Sequence, residues 1–155
     1  MVKKMRINFK KLIFYIIITF IIGNIFTLFI NTELYNNINK GIDIPGIVFP
    51  IVWSILFLLM AISAYIISES NNLNKISALK SYFIQLIFNS LWTLIFFGLR
   101  TYTLSFVWII VLILLVINMI TKFYNIKKIA GLINIPYIIW LLFAAYLNLS
   151  IIILN

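Results

Sequence analysis

The chain has 155 residues, of which 65% are hydrophobic and 10% are charged, with a formal net charge of +9 at pH 7. A soluble domain carries about 25% charged residues, so this chain has too few polar side chains to cover a water-exposed surface. Because it contains neither cysteine nor histidine, disulfides, thiolate or imidazole metal sites and histidine acid–base catalysis are excluded.

Five apolar runs follow one another along the chain, and each is long enough to cross a bilayer. A hydrocarbon layer about 30 Å thick needs roughly 20 residues of helix. Lipid offers no partner for an unpaired backbone group, so each run is predicted to be helical. The predicted helices cover residues 12–30, 47–67, 78–97, 104–123 and 129–154. The predicted fold class is therefore an all-α integral membrane protein, with one five-helix transmembrane bundle over residues 1–155.

The first run follows a lysine-rich start, as the apolar part of a signal peptide would. No cleavage site of the Ala-x-Ala type follows it, so we interpret it as a retained helix. The longest connection is the polar segment 31–46, which contains Gly41, Pro45 and Gly46. Residues 98–103 and 124–128 are predicted to form tight turns.

Basic residues are concentrated in alternate connections. Only Lys40 and Arg100 of the twelve Lys and Arg residues lie in the first or third connection. The others are Lys3, Lys4, Arg6, Lys10, Lys11, Lys75, Lys80, Lys122, Lys127 and Lys128. The positive-inside rule then predicts a cytoplasmic N-terminus and an outside C-terminus. The basic residues form no face interleaved with aromatic side chains, so no nucleic-acid partner is predicted.

The three acidic residues, Glu33, Asp43 and Glu69, all lie outside the apolar runs. A buried carboxylate pair and a carboxylate metal site therefore have no residues to form them. No metal ligand and no conventional catalytic residue is predicted.

Four predicted helices carry tryptophan, amide or small side chains at helical spacing. The stripes are Thr19, Gly23 and Thr27; Trp53, Phe57, Met60, Ala61 and Ala64; Gln85, Asn89 and Trp92; and Trp140, Ala144 and Asn148. One interpretation is structural, with amides holding helices together and tryptophans at the membrane interface. The other is a shared interior cavity for a flat aromatic ligand.

Three segments stand out: PGIVFPIVWSILFLLM at residues 45–60, QLIFNSLW at 85–92 with IFFG at 95–98 and Arg100, and PYIIWLLFAAYLN at 136–148. They resemble the motifs of the translocator protein family, also called the tryptophan-rich sensory proteins or TspO/MBR. The matches occur in the family's order and spacing. The connection 31–46 lacks two tryptophans and two prolines that are usual in the family.

The resemblance implies a five-helix bundle, in a bacterial cell membrane and as a homodimer, that binds porphyrins such as protoporphyrin IX in an internal pocket. It implies no required cofactor. The ligand-facing residues would be Trp53, Asn89, Trp140 and Ala144, beneath a capping loop formed by 31–46. Residues that would line or support the pocket are Gly23, Tyr35, Pro45, Phe49, Phe57, Trp92, Phe96, Phe143 and Asn148.

The first functional hypothesis is a receptor or sensor that stacks a porphyrin on tryptophan, with the porphyrin propionates near Lys40 or Arg100. A second is a light- and oxygen-dependent porphyrin-degrading enzyme, in which Trp53 and Trp140 would be the redox partners. A third is a porphyrin or lipophile transporter. Transport is disfavoured because the sequence shows neither an internal repeat nor an intramembrane carboxylate for ion coupling.

Overall fold

The structure, a computed structural model, describes residues 7–31 and 33–155, and within these ranges it contains helices and no strand. The α-helices are Phe9–Asn24 (α1), Val48–Ser68 (α2), Lys75–Thr93 (α3), Tyr102–Ile126 (α4), Lys128–Leu132 (α5) and Ile135–Leu154 (α6). Five helical segments are long and apolar enough to cross a membrane, α5 and α6 together forming the fifth. The predicted fold class, an all-α five-span membrane protein, is confirmed.

The first span differs from the single helix predicted over residues 12–30. Helix α1 ends at Asn24, and a short 3-10 turn follows at Thr27–Phe29. The Thr27 hydroxyl donates to the Asn24 carbonyl at 2.6 Å, and the Asn24 amide donates to the Phe20 carbonyl at 3.0 Å. These side-chain bonds satisfy carbonyls at the helix end, where the continuing helix would otherwise have used them.

The third span ends in a π-helical turn, Leu94–Gly98, that the sequence pattern did not predict. The Leu99 amide donates to the Leu94 carbonyl at 2.9 Å, which closes the wider turn. As a result, the consecutive rings of Phe96 and Phe97 both approach Tyr35 of the long connection, with centroids at 5.9 and 5.4 Å. That connection itself contains a 3-10 helix, Glu33–Asn37.

The fifth span, predicted as one helix over 129–154, is two helices separated at Ile133 and Asn134. Pro136 lies in the first turn of α6, where its missing N–H costs no helical hydrogen bond. The Asn134 side-chain amide donates to the Ala130 carbonyl at 2.8 Å and to the Ser63 hydroxyl at 2.7 Å. The break is thereby fixed to α2.

Buried polar contacts join the helices below the level of the long connection. The Tyr137 hydroxyl of α6 donates to Gln85 Oε1 of α3 at 2.9 Å. The Ser105 hydroxyl of α4 donates to Asn148 Oδ1 of α6 at 2.9 Å. Apolar side chains fill the space around these contacts; the largest fully buried ones include Tyr82, Phe123, Met60, Leu86 and Leu141. The interior around these contacts is therefore solidly packed.

Candidate ligand-binding cavity

A cavity of about 600 Å³ lies inside the bundle, beneath the connection 31–46. Its walls are formed by α1, α2, α3 and α6, and its roof by the connection. Eleven of the thirteen residues that the resemblance assigned to a pocket line it. They are Gly23, Tyr35, Pro45, Phe49, Trp53, Phe57, Asn89, Trp92, Phe96, Trp140 and Ala144.

The other two assigned residues lie outside the lining. Asn148 is fully buried one turn beyond Ala144, where its amide donates to the Tyr102 carbonyl at 3.0 Å and its oxygen accepts from Ser105. It ties α6 to α4 and contributes no atom to the cavity. Phe143 is half-buried, and its ring packs 5.5 Å from that of Trp140. Phe143 thus supports a lining residue from behind.

The α2 wall is aromatic because Phe49, Trp53 and Phe57 recur every four residues and share one helix face. The rings of Trp53 and Phe57 lie 5.5 Å apart. The indole of Trp53 also meets the ring of Tyr137 on α6 edge-on at 6.2 Å. These contacts hold the indole against the interior of the bundle, so Trp53 lines the cavity and does not form part of an interfacial belt.

The α6 wall combines a large side chain with a small one. Trp140 packs edge-on against Phe49 of α2 at 5.9 Å, which closes the corner between the two helices. Ala144, one turn further on, leaves open space beside the indole. This alternation gives a flat aromatic surface next to a recess, which suits a planar ligand.

Three polar atoms of the cavity lining are buried without a hydrogen-bond partner among the residues that the structure describes. They are Asn89 Oδ1, Trp92 Nε1 and Trp140 Nε1. Leaving a buried polar group unpaired costs about 1–3 kcal/mol. None of the three atoms is exposed to the open space of the cavity, so a ligand gains this acceptor and these two donors only when the side chains turn towards it.

The roof of the cavity is held by Tyr35, whose ring packs against Phe49, Phe96 and Phe97. The Lys40 ammonium lies 4.2 Å from the centre of the same ring, in a cation–π contact. Burial, with smaller contributions from the Tyr102 phenol and the Asp43 carboxylate, raises the pKa of the Tyr35 hydroxyl above its ordinary value of 10.0. The phenol is therefore neutral at physiological pH.

The charged residues of the lining lie at the roof. Lys40 and Asp43 both line the cavity there. Arg100, which shared with Lys40 the predicted contact to an acidic ligand group, lies instead in a small adjoining crevice with Tyr35, Phe97 and Tyr102. The cavity therefore has an apolar interior and a polar roof.

Several lining residues were not predicted from the sequence. Pro50 and Ser54 lie on the same face of α2 as the predicted aromatic stripe, so helical spacing could have found them. Leu147 on α6 has the same relation to Trp140 and Ala144. Asn24 adjoins Gly23 at the end of α1, and Thr27 belongs to the small-residue stripe already noted in the sequence. Asn36 and Ile44 depend on the path of the long connection and carried no periodic signal.

Comparisons with known proteins agree on one family. The model of the TspO/MBR family matches residues 12–154. The chain is 34% identical over 124 residues to the tryptophan-rich sensory protein of Cereibacter sphaeroides, an alignment covering 79% of this chain and 77% of that protein. It is 36% identical over 109 residues to protein CrtK of Rhodobacter capsulatus, covering 69% and 68%. It is 38% identical over 111 residues to the tryptophan-rich protein TspO of Archaeoglobus fulgidus, covering 72% of each.

Proposed function

Since the chain belongs to the TspO/MBR family of sensory, receptor-type membrane proteins, we propose that it binds porphyrins of the protoporphyrin IX class in the cavity beneath the connection 31–46. The observation that carries the proposal is the convergence of Trp53, Trp92, Trp140 and Asn89 on one cavity. The volume of about 600 Å³ falls within the range of small-molecule sites.

The aromatic walls supply the affinity in this proposal. A porphyrin offers a large flat π-face, and indole rings bind such a face by offset or edge contacts. Trp53 and Trp140 lie on adjoining walls, each with its position set by neighbouring rings. The macrocycle replaces water in an apolar space, so its burial contributes in proportion to the apolar area covered.

The polar atoms supply orientation. When their side chains turn towards the ligand, Asn89 Oδ1 accepts a hydrogen bond and the indole N–H groups of Trp92 and Trp140 donate. The propionates of a porphyrin lie towards the roof, where Lys40 offers the positive charge. Asp43 at the same roof disfavours a closer approach by a second carboxylate. Binding requires no metal, so a chelator is expected to leave it unchanged.

A titration of purified protein with protoporphyrin IX, followed at the Soret band, tests the proposal. We expect a saturable shift, with Trp53→Ala and Trp140→Ala each weakening affinity about tenfold or more, the loss of one aromatic contact. Trp108→Phe is the matched control, because Trp108 donates to the Phe88 carbonyl at 2.9 Å and stacks on Phe88 away from the cavity. Absence of a saturable shift in the wild-type protein would rule porphyrin binding out.

A second candidate function is light- and oxygen-dependent porphyrin degradation. It is favoured by two easily oxidised indoles, those of Trp53 and Trp140, on the walls of one cavity. The titratable side chains of the described lining, Tyr35, Lys40 and Asp43, all lie at the roof, so the excited ligand itself would have to drive the chemistry. Illumination with and without oxygen decides: bleaching no faster than that of free porphyrin in the same detergent rejects the enzyme.

A further inference from the structure

We propose that the cavity has a lateral entrance between α1 and α2, opening into the bilayer, through which membrane-dissolved flat hydrophobic ligands enter. The loop 31–46 then stays closed during binding. The inference rests on the proposed binding function, and it adds the route and the phase from which the ligand comes. The entrance is bordered by Asn24 and Thr27 on one side and by Pro50 and Ser54 on the other, and these four residues are called the lateral opening below.

The short first helix creates the opening. Helix α1 has 16 residues, so its α-helical length is about 24 Å, less than the roughly 30 Å of the hydrocarbon layer. Its last close contact with α2 is at Gly23, where an added Cβ would lie 2.5 Å from the Phe57 ring. Beyond Asn24 the chain turns towards α3, and Ile30 lies 3.5 Å from the Cβ position of Gly98. The first turns of α2 are left uncovered.

Exposed lining residues outside the loop 31–46 locate the lateral opening, since several residues of the loop are exposed to the other side. Thr27, Pro50 and Ser54 line the cavity and are nevertheless exposed at the surface of the bundle. Ser54 lies six residues after Val48, about 9 Å along a 21-residue helix of about 31 Å. This depth is within the hydrocarbon layer. Exposed apolar side chains, Ile51 and Ile55, flank it on the same helix.

The polar residues of the opening are compatible with lipid. The Ser54 hydroxyl donates to the Pro50 carbonyl at 2.7 Å, and the Thr27 hydroxyl donates to the Asn24 carbonyl at 2.6 Å. Because each donor is satisfied within its own segment, these groups face acyl chains without an unpaired N–H or O–H. Their small size leaves the gap open, where Leu or Ile would close it.

The alternative route, past the loop, is held shut by contacts along residues 35–41. Tyr35 is packed among three phenylalanine rings. The Asn155 side chain donates to the Asn39 carbonyl at 2.9 Å and accepts from the Asn39 amide at 3.4 Å. Gly41, in a left-handed conformation with φ of 73°, lies against Leu154. Opening this part of the loop breaks all of these contacts, whereas the hydroxyls of Thr27 and Ser54 donate within their own segments.

Narrowing the opening tests the route. Ser54→Trp and Thr27→Trp are reconstituted in ligand-free vesicles, protoporphyrin IX is added rapidly, and its association with the protein is followed at the Soret band. We expect association and dissociation both to slow by roughly tenfold relative to Ile55→Trp, whereas a loss of affinity alone would speed dissociation and leave association unchanged. Ile55→Trp, an exposed position beside the opening and outside the lining, is the matched control. Equal rates for Ser54→Trp and Ile55→Trp would overturn the lateral route.

A covalent cross-link that holds the loop closed provides a second test of the entry route. Because the natural chain has no cysteine, the double variant Asn39→Cys, Asn155→Cys contains just the two thiols that a short cross-linker is to join. We expect the cross-linked protein to take up the porphyrin at the unlinked rate. A cross-link that slows association as much as Ser54→Trp refutes the closed loop. Failure of the wild-type equilibrium titration would instead remove the binding function itself, so the two failures are distinguishable.

Discussion

Gly23 and Phe57 meet where α1 and α2 join the cavity wall, and the contact leaves no room for a larger residue. A Cβ added at Gly23 would lie between 2.5 and 2.9 Å from three atoms of the Phe57 ring. The ring can move only by turning into the cavity or by separating the helices. Overpacking of this kind typically costs about 1–3 kcal/mol.

We therefore expect Gly23→Ala to lower the unfolding midpoint and to weaken porphyrin binding severalfold. Gly46→Ala is the matched control, since Gly46 also lines the cavity and an added Cβ there meets no atom within 4 Å. Thermal unfolding in detergent and Soret titration of both variants provide the measurement. Equal behaviour of the two variants would show that the Phe57 ring adjusts freely.

The raised pKa of Tyr35 predicts a pH dependence of loop closure. The closed loop buries the neutral phenol, so its contribution to closure is fully present below pH 10.0, the ordinary pKa, and is lost as pH rises through the higher pKa of the closed state. Porphyrin accessibility to a water-soluble quencher is expected to rise above pH 10. Tyr35→Phe, which keeps the ring and removes the ionisable group, should show a flat profile over the same range.

At the scale of helices, the bond between Tyr137 and Gln85 is a polar contact between α3 and α6 in the middle of the membrane. Intramembrane bonds of this kind average about 0.6 kcal/mol and reach about 1.7. Both residues are fully buried, which places this bond towards the upper end. Tyr137→Phe is expected to lower the unfolding free energy by about 1 kcal/mol.

The control for Tyr137→Phe lies on the same helix. Tyr146 is exposed at the bundle surface, and its replacement by Phe should leave stability unchanged. Denaturant unfolding in mixed micelles compares the two. A loss equal in both variants would attribute the effect to the general chemistry of the substitution and contradict a specific bond to Gln85.

Hydrophobicity alone predicted that five segments cross the membrane, because lipid forces any apolar run of sufficient length into a helix. It could not predict where the helices end or break. Asn24 and Asn134 interrupt the first and fifth spans through side-chain bonds to backbone carbonyls and to Ser63, and those partners are defined only in the folded chain. The π-turn after Thr93 likewise leaves the apolar pattern unchanged.

The candidate site was likewise only partly predictable from the sequence. Residues on regular helices, such as Trp53, Asn89 and Trp140, fall in stripes that helical spacing identifies. Their assignment to a pocket came from the family resemblance. Asn148 fits the same spacing as Trp140 and Ala144, yet it bonds to α4. Helix periodicity tells which residues share a face, and only the packing of neighbours tells what that face meets. Asn36, in the long connection, had no pattern to follow.

At the scale of the whole molecule, the expected homodimer stays a prediction. The small residues of α3 that could have served a helix contact, Ala78, Ser81 and Ser90, are buried within the chain's own bundle. A dimer contact must therefore use other surfaces. Cross-linking in native membranes at increasing dilution with lipid would detect it, and a monomer at every dilution would contradict it.

The described basic residues other than Lys40 and Arg100 gather at the end of the bundle opposite the cavity. Lys11 pairs with Glu69 and also donates to the Ser68 carbonyl, which Lys75 reaches as well. Lys122 donates to the Ser77 hydroxyl at this same end. Lys3, Lys4 and Arg6 lie outside the described residues. The cavity, its roof and Lys40 lie at the other end.

The positive-inside rule then predicts that this basic end is cytoplasmic and that the cavity opens towards the outer leaflet. Because the natural chain lacks cysteine, single cysteines report the side directly. Ile42→Cys in the loop over the cavity should react with a membrane-impermeant maleimide in intact cells. Leu73→Cys, which is 98% exposed between α2 and α3, should react only after permeabilisation. The reverse pattern would place the lateral opening in the cytoplasmic leaflet and make that leaflet the source of the ligand.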